Sequence, residues 1–469
     1  MTTLLLLGSP SQAEATVAPD EPIQPWSANS WYWSIDSEPV LLVGGSDDDN
    51  LFQWPADELI PQLDRLQAAG GNVIRNTMSD RQDRGTERYP FVQMPNGKYD
   101  LRQWNPQYWE RFEFMLRETA RRDIVVQIEI WDRFDYTDNR GADHWQRHPY
   151  NPANNINYTY ADSGFSARYD RHPGANDQPF FFTTPQQQNN RVVLPFQEAF
   201  VHRLLDHTLE YGHVLYCIDN ETQAEPAWGA YWARLIKQRA EAENRTIFVT
   251  EMWDAWNLQS DEHKHTFDHP ELYDFVDVSQ NNHNHGREHW DNFIHVRDYL
   301  APHPRPMNTT KTYGATGNKF GHTDQDAIER FWRHLLAGAA SARFHRPSAG
   351  LGLNDQVVNS LKTVRAVEEQ VAFWDLRAAM SRVRSDDEND AYLVESGDRE
   401  TLVVFLPGGN PVDIQLPDSL RAPRISWHNI DRAEQIRLPA KPHKGLLNLK
   451  PPSAENWIVV IQPQRFSSR

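Results

Sequence analysis

The chain has 469 residues, 39% hydrophobic and 12% aromatic, with 17 Trp, a mean hydropathy of -0.73 and one cysteine, Cys217. That length exceeds one ordinary domain, although an α/β barrel alone can take about 250 residues; the aromatic content excludes a disordered chain, the sequence holds no apolar run long enough for a membrane-spanning helix, and one cysteine excludes an intrachain disulfide or a multi-cysteine metal motif. The 65 acidic and 47 basic residues give a formal charge of -18, without the basic footprint that a nucleic-acid partner requires.

The first residues read MTTLLLLGSPSQAEA. Leu4–Leu7 form a short apolar core and Ser11-Gln12-Ala13 resembles a small-residue cleavage site, although the basic n-region is missing. The expectation is an imperfect leader over residues 1–25 and a secreted or periplasmic protein. Lack of disulfides does not oppose export when a large core carries the stability.

From about residue 38 to 374, β-rich runs alternate with amphipathic helical patterns. The expected strands are Pro39–Gly44, Asn72–Thr77, Ile124–Trp131, His213–Asn220, Thr246–Glu251, Phe275–Gln280, Arg305–Lys311 and Ser341–Arg346. The expected helices are Ala56–Ala68, Pro106–Arg121, Phe196–Tyr211, Ala227–Glu243, Glu288–Leu300, Asp324–Ala339 and Asp355–Phe373. Gly70-Gly71 and Gly212 close helices before strands. Eight strands alternating with helices predict a (β/α)₈ barrel over residues 26–376. The stretch Asp261–Glu271, after the fifth strand, reads poorly as helix. In the third strand Val126, Ile128 and Ile130 share the face expected to meet helices, and Gln127, Glu129 and Trp131 the face expected to point inward. About sixty residues, Asp132 to Arg191, separate that strand from the next helix. They are too aromatic for disorder and too long for a plain connection, so they are expected to wall the site. After Leu376, short strands (Leu402–Leu406, Val412–Gln415, Arg424–Trp427, Trp457–Ile461) with turns such as Pro407-Gly408-Gly409 predict an antiparallel β-sandwich over residues 377–469.

The chemistry gathers at strand ends, where barrel enzymes carry their sites. The sharpest motif is Tyr216-Cys217-Ile218-Asp219-Asn220-Glu221, an apolar strand running into Asn-Glu at its tip. Glycoside hydrolysis needs a rigidly held carboxylic acid beside the leaving oxygen. Arg75 and Asn76 end the second strand; Glu129, Trp131 and Asp132 the third; Glu251 the fifth, with Trp253 and Trp256 beyond. Gln280, His283 and His285 follow the sixth, Lys311 and Tyr313 the seventh, and Arg343, His345 and Arg346 the eighth. So many cations on one face of an acidic protein suit an anionic sugar, a uronate or sulfate ester; the alternative is that they balance inner carboxylates as ion pairs. Tryptophans beside acids suit stacking against sugar faces, or ordinary core packing.

The chain resembles the clan A glycoside hydrolases, whose acid/base is the Glu of Asn-Glu after the fourth strand, here Asn220-Glu221. More narrowly it is similar to apiosidase-like barrel proteins with an appended collagen-binding-like sandwich. Phe373-Trp374-Asp375-Leu376-Arg377, the segment LVVFLPGG, Ser426-Trp427-His428-Asn429 and Asn456-Trp457-Ile458 carry that resemblance. It implies a glycosidase with a carbohydrate substrate and no cofactor. The family's seventh-strand nucleophile is a Glu, whereas Lys311 stands there in this chain. The sequence reading therefore assigns Glu221 as general acid and Glu251 as general base of an inverting reaction, with Glu129 in reserve and the remaining strand-end residues binding substrate. The closed side of the cleft suggests exo action. Two alternatives stay open: a lyase in which Lys311 or Tyr313 abstracts a proton α to a uronate carboxylate neutralised by Arg343 or Arg346, and a sugar-binding protein without turnover. No metal is expected: Gly44–Asn50 lacks full EF-hand spacing, His283, His285 and His289 lack the zinc helix pattern, and no Gly-x-Ser-x-Gly elbow is present.

Overall fold

The protein is described by a computed structural model covering residues 22–79, 84–438 and 441–464. The leader expected at Met1–Ala15 lies outside the described residues. The alternation of runs closes into a barrel. Its strands are β1 (Leu42–Gly45), β2 (Val73–Thr77), β3 (Val125–Asp132), β4 (Val214–Asn220), β5 (Val249–Thr250), β6 (Val276–Asp277), β7 (Met307–Thr312) and β8 (Ser341–Phe344). They pair in parallel in the order β5-β4-β3-β2-β1-β8-β7-β6. The helices around the barrel are α1 (Ala56–Ala68), α2 (Pro106–Ala120), α3 (Leu194–Thr208), α4 (Pro226–Ala242), α5 (Asp261–Phe267), α6 (Gly286–Tyr299), α7 (Asp324–Ala337) and α8 (Asp355–Glu368). Local chemistry sets their ends. Asn105 caps α2 with Pro106 behind it, Thr323 and Asp326 form a capping box on α7, and Gly338 closes α7 at φ +103°. The stretch read as poorly helical supplies the short α5.

Between β5 and β6 the main-chain ladder is missing. One main-chain bond and two bonds from side chains span that seam instead. Asp274 Oδ2 accepts from the Val249 amide at 2.8 Å, the Asp274 amide donates to Val249 O at 2.8 Å, and Thr250 Oγ1 donates to Phe275 O at 2.7 Å. The expected strands Thr246–Glu251 and Phe275–Gln280 thus shrink to two paired residues each. Pro39–Gly44 also divides: Glu38–Val40 joins a small antiparallel sheet with Gln24–Pro25 and Trp33–Ile35, and only Leu42 onward enters the barrel. Residues 24 and 25, expected in the leader, are therefore part of the fold. Trp33 plugs the lower end of the barrel, its indole donating to Asn308 Oδ1 at 3.0 Å and packing on Phe248 and Phe275.

The barrel interior is polar. Gln127 donates to Asp277 at 2.8 Å and accepts from Asn308 at 3.0 Å, joining β3, β6 and β7. Gln127 and Glu129 point inward as the alternation predicts. Trp131 does not: its ring packs among Phe180, Phe200, Trp228 and Trp232, beneath α3 and α4. The C-terminal unit is two antiparallel sheets of six and three strands over a shared core that includes Leu393, Val404, Ile414 and Trp427. The opposite face of the six-stranded sheet, through Tyr392, Val403, Phe405 and Val460, belongs to the barrel's own core.

Candidate active site

All seven residues of β4 are buried, and Glu221 follows at once with φ +53°. A non-glycine residue in the left-handed region carries strain that the surrounding structure must offset. Here the backbone turn brings the carboxylate to the barrel mouth. Lys311 Nζ, on β7, lies 2.6 Å from Glu221 Oε1 and also donates to Asn220 Oδ1. Tyr313 Oη donates to the same Oε1 at 2.9 Å. The Gln280 amide lies alongside without a hydrogen bond of ordinary geometry. Burial would push the Glu221 carboxyl up, but the Lys311 ammonium and the hydrogen bonds outweigh it and hold the group well below the usual range. A group held ionised in this way has no proton to donate, which removes the support for its expected role as general acid.

A second ionic cluster lies beside it. Asp49, in the acidic loop after β1, is ion-paired with Arg75 Nη1 at 2.7 Å and Arg346 Nε at 3.2 Å and accepts a hydrogen bond from Arg343 Nη2 at 3.2 Å, with His345 at 3.6 Å. Arg75 also grips Glu129 with two bonds, Nε to Oε1 at 2.6 Å and Nη2 to Oε2 at 2.5 Å. Burial opposes the charge on Asp49, and the surrounding Arg75, His345, Arg346 and Arg343 override it and hold the group well below its ordinary value.

These groups open onto a cleft of about 570 Å³. Asn220, Glu221, Arg75, His283, Lys311, Tyr313, His345 and Arg346 line it, as expected of strand-end residues. The long connection supplies Phe134, Asn139, Arg140 and His172, so it does wall the site. Its own core is aromatic: Tyr136 stacks on Phe180 at 4.1 Å and tilts against His148 at 4.5 Å. Trp256 stacks on His283 at 4.0 Å, Phe320 stacks on Tyr313 at 5.3 Å, and both outer rings are exposed at the rim. Burial among these groups holds His283 uncharged near neutrality, lowering it to about 3.

Other expected site residues are elsewhere. Glu251 is 1% exposed and does not line the cleft. Its Oε1 accepts the amides of Asp219 and Met252 at 2.9 and 3.1 Å, and its Oε2 faces Gly229 of α4. Burial and the neighbouring Asp219 raise it well above the carboxylate range. Placed away from the cleft and bonded to main-chain amides, it loses the support for its expected role as general base. Glu129 is sealed behind Arg75. Asp132 caps the turn at Phe134, and Asn76 bonds backbone at Phe52 and Thr77. Trp253 donates to Thr266 beneath the surface, His285 turns to Asp326, and Arg343 is fully buried behind Asp49.

The sequence reading missed Asp254, Lys319 and Phe320 in the cleft. Asp254 comes three residues after Glu251, where no strand pattern remains to phase it. Its Oδ2 accepts from Gln223 at 2.8 Å. Burial and the charge on Glu221 raise it to about 7.

Solved structures share this fold. One described as a glycoside hydrolase superposes with a TM-score of 0.63 at 12% identity, over 96% of this chain and 99% of that one. A glycoside hydrolase family 5 structure from Bacteroides vulgatus ATCC 8482 gives 0.63 at 11% identity, over 96% and 95%. An α-amylase from Geobacillus thermoleovorans, complexed with acarbose, gives 0.54 at 10% identity, over 89% and 93%. No protein-family model matches the chain, and no curated protein matches it.

Proposed function

We propose that the protein is an exported glycoside hydrolase of the clan A kind, most similar to the apiosidase-like group, with Glu221 as its central carboxylate. Its substrate is an anionic plant or algal glycan bearing a uronate or sulfate, cut from the end of a short chain. The observation that carries the reading is Glu221 itself. It is a strained, ionised residue at the tip of the fourth strand, opening onto a cleft with exposed Trp256 and Phe320. Barrel enzymes carry chemistry at that end, and strain at a functional residue is a recognised device. Exposed rings suit sugar faces. Arg140, Lys319 and Arg346 on the cleft wall suit a carboxylate or sulfate. The shared fold with structures described as glycoside hydrolases supports the class.

The lyase alternative is disfavoured because Lys311 and Tyr313 both donate to Glu221, whereas a base needs a lone pair aimed at substrate. Glu251 is out of reach, so the inverting pair is not carried forward. A panel of plant and algal oligosaccharides, read by product mass with wild type and Glu221→Gln, tests the proposal. Products that gain one water, lost in the variant, support it. Cleavage without added water, or binding without turnover across the panel, overturns it.

A further inference from the structure

Resting on the glycosidase reading but departing from the clan A role of the Asn-Glu carboxylate as acid/base, we propose that Asp254 is the proton donor of the reaction and Glu221 its ionised nucleophile, the two carboxylates standing just beyond neighbouring strand ends. The main chain fixes their proximity. Beyond β4 and β5 the ladder continues through a parallel bridge, Thr222 with Trp253, with the Thr222 amide on Met252 O at 2.7 Å and the Asp254 amide on Thr222 O at 3.0 Å. Glu221 and Asp254 flank that bridge, and both line the cleft. Adjacent strands lie about 4.8 Å apart. The two acids stand diagonally across the bridge, and a carboxylate that bonds to C1 makes the arrangement a retaining one, for which the carboxyls must come within about 5–5.5 Å of each other.

The two groups have opposite partners. Lys311 and Tyr313 occupy Glu221 Oε1, and among the described residues Oε2 accepts no hydrogen bond of ordinary geometry. Among the described residues Asp254 has no ion pair, and Gln223 is its side-chain donor. The charged groups acting on it are Glu221, which raises its affinity for a proton, and Lys311 and Arg133, which oppose this more weakly. Neighbouring carboxyls pushed apart in this way are how one site holds an acid and an anion together.

The step balances. Asp254 gives its proton to the glycosidic oxygen as the C1–O bond breaks and that bond's electron pair goes to the departing oxygen. Glu221 Oε2 bonds to C1. Water then adds to C1, its proton returns to Asp254, and the Glu221–C1 bond breaks to restore the carboxylate. One water is consumed and both residues end as they began. Lys311, in this scheme, keeps the nucleophile ionised and takes no part in bond exchange.

The test uses the full chain with oligosaccharides and p-nitrophenyl glycosides, beside infrared titration of carboxyl bands. Wild type is expected to show a carboxyl titrating near neutrality, retained anomeric configuration and a basic limb in kcat. Asp254→Asn is expected to lose the band and the limb, with turnover of oligosaccharides falling about 100-fold or more. The p-nitrophenyl substrates, whose leaving group needs no proton, are expected to suffer less. A fluorinated glycoside is expected to label Glu221. Near-ultraviolet dichroism reports whether each variant folds, and Asp254→Glu provides a second variant that keeps the acid. Hydrolysis by wild type with Asp254→Asn equally active, or with inverted product, overturns this assignment alone. No hydrolysis of any substrate overturns the glycosidase reading and this assignment together.

Discussion

At the scale of single residues, the pair of Lys311 with Glu221 governs both charge and stability. Lys311→Met leaves a largely buried carboxylate uncompensated, a loss of about 3 kcal/mol by urea unfolding at neutral pH. Because Glu221 is held below its unfolded value, that stabilisation is present above pH ~4.3 and is lost as pH falls through the folded value, so the gap between wild type and variant should close in acid. Asp254 has the opposite sign. Its folded value, about 7, lies above the unfolded value of about 3.9, so the native state binds more protons between them and stability declines as pH rises. Asp254→Asn should therefore unfold later than wild type at pH 8, with the gain shrinking toward pH 4. A calorimetric series across pH checks this. Sequence made Glu221, Lys311 and the arginines legible because strand ends are legible. It could not tell that Lys311 bonds to Glu221, since partners across a barrel leave no mark in local spacing. Nor could it find Asp254, which lies past a strand of two paired residues.

At the scale of elements, close approach leaves some positions no choice. A Cβ on Gly229 of α4 would fall 2.5 Å from Glu251 Oε2 and 2.9 Å from Tyr273 Oη. Gly229→Ala should cost about 1–3 kcal/mol, read as a lowered denaturant midpoint, through overpacking around a buried acid. On β1 a Cβ at Gly44 would fall 2.0 Å from Val73 O, so no side chain fits between the first two strands. The helices were legible to within a few residues because their apolar stripes and caps are local. Strand faces were less so. Strict alternation placed Trp131 inward, but the end of β3 leans toward the helices, where four large aromatic rings offer more apolar surface than the wet mouth. The long connection was legible as a wall from its length and aromatic content.

For the whole molecule, a chain of net charge -18 presents a cleft in which Arg75, Arg140, Lys311, Lys319 and Arg346 face Asp49, Glu221 and Asp254. An anionic substrate approaching an acidic protein is repelled at long range and held only inside. Added salt screens both effects, with a Debye length of about 8 Å at physiological strength. If the substrate is the proposed anionic glycan, its KM should rise with ionic strength while the KM of a neutral glycoside does not move. The barrel and the sandwich share apolar surface through Phe405 and Trp332. This explains why the composition changes sharply near Leu376 while the core runs on without a break.

The seam between β5 and β6 makes the barrel a split ring. Its two lips are pinned at the mouth by the stack of Trp256 on His283 and by Asn284 Nδ2 donating to Trp256 O at 2.9 Å. Trp256 is then a clasp as well as a proposed surface for sugar. Cutting it to alanine should speed amide hydrogen exchange in residues 249–254 and 276–283 and leave β2 and β3 protected. If the ring spreads on that side in the variant, the proposed glycosidase should accept bulkier sugars, read by turnover of the same oligosaccharide panel.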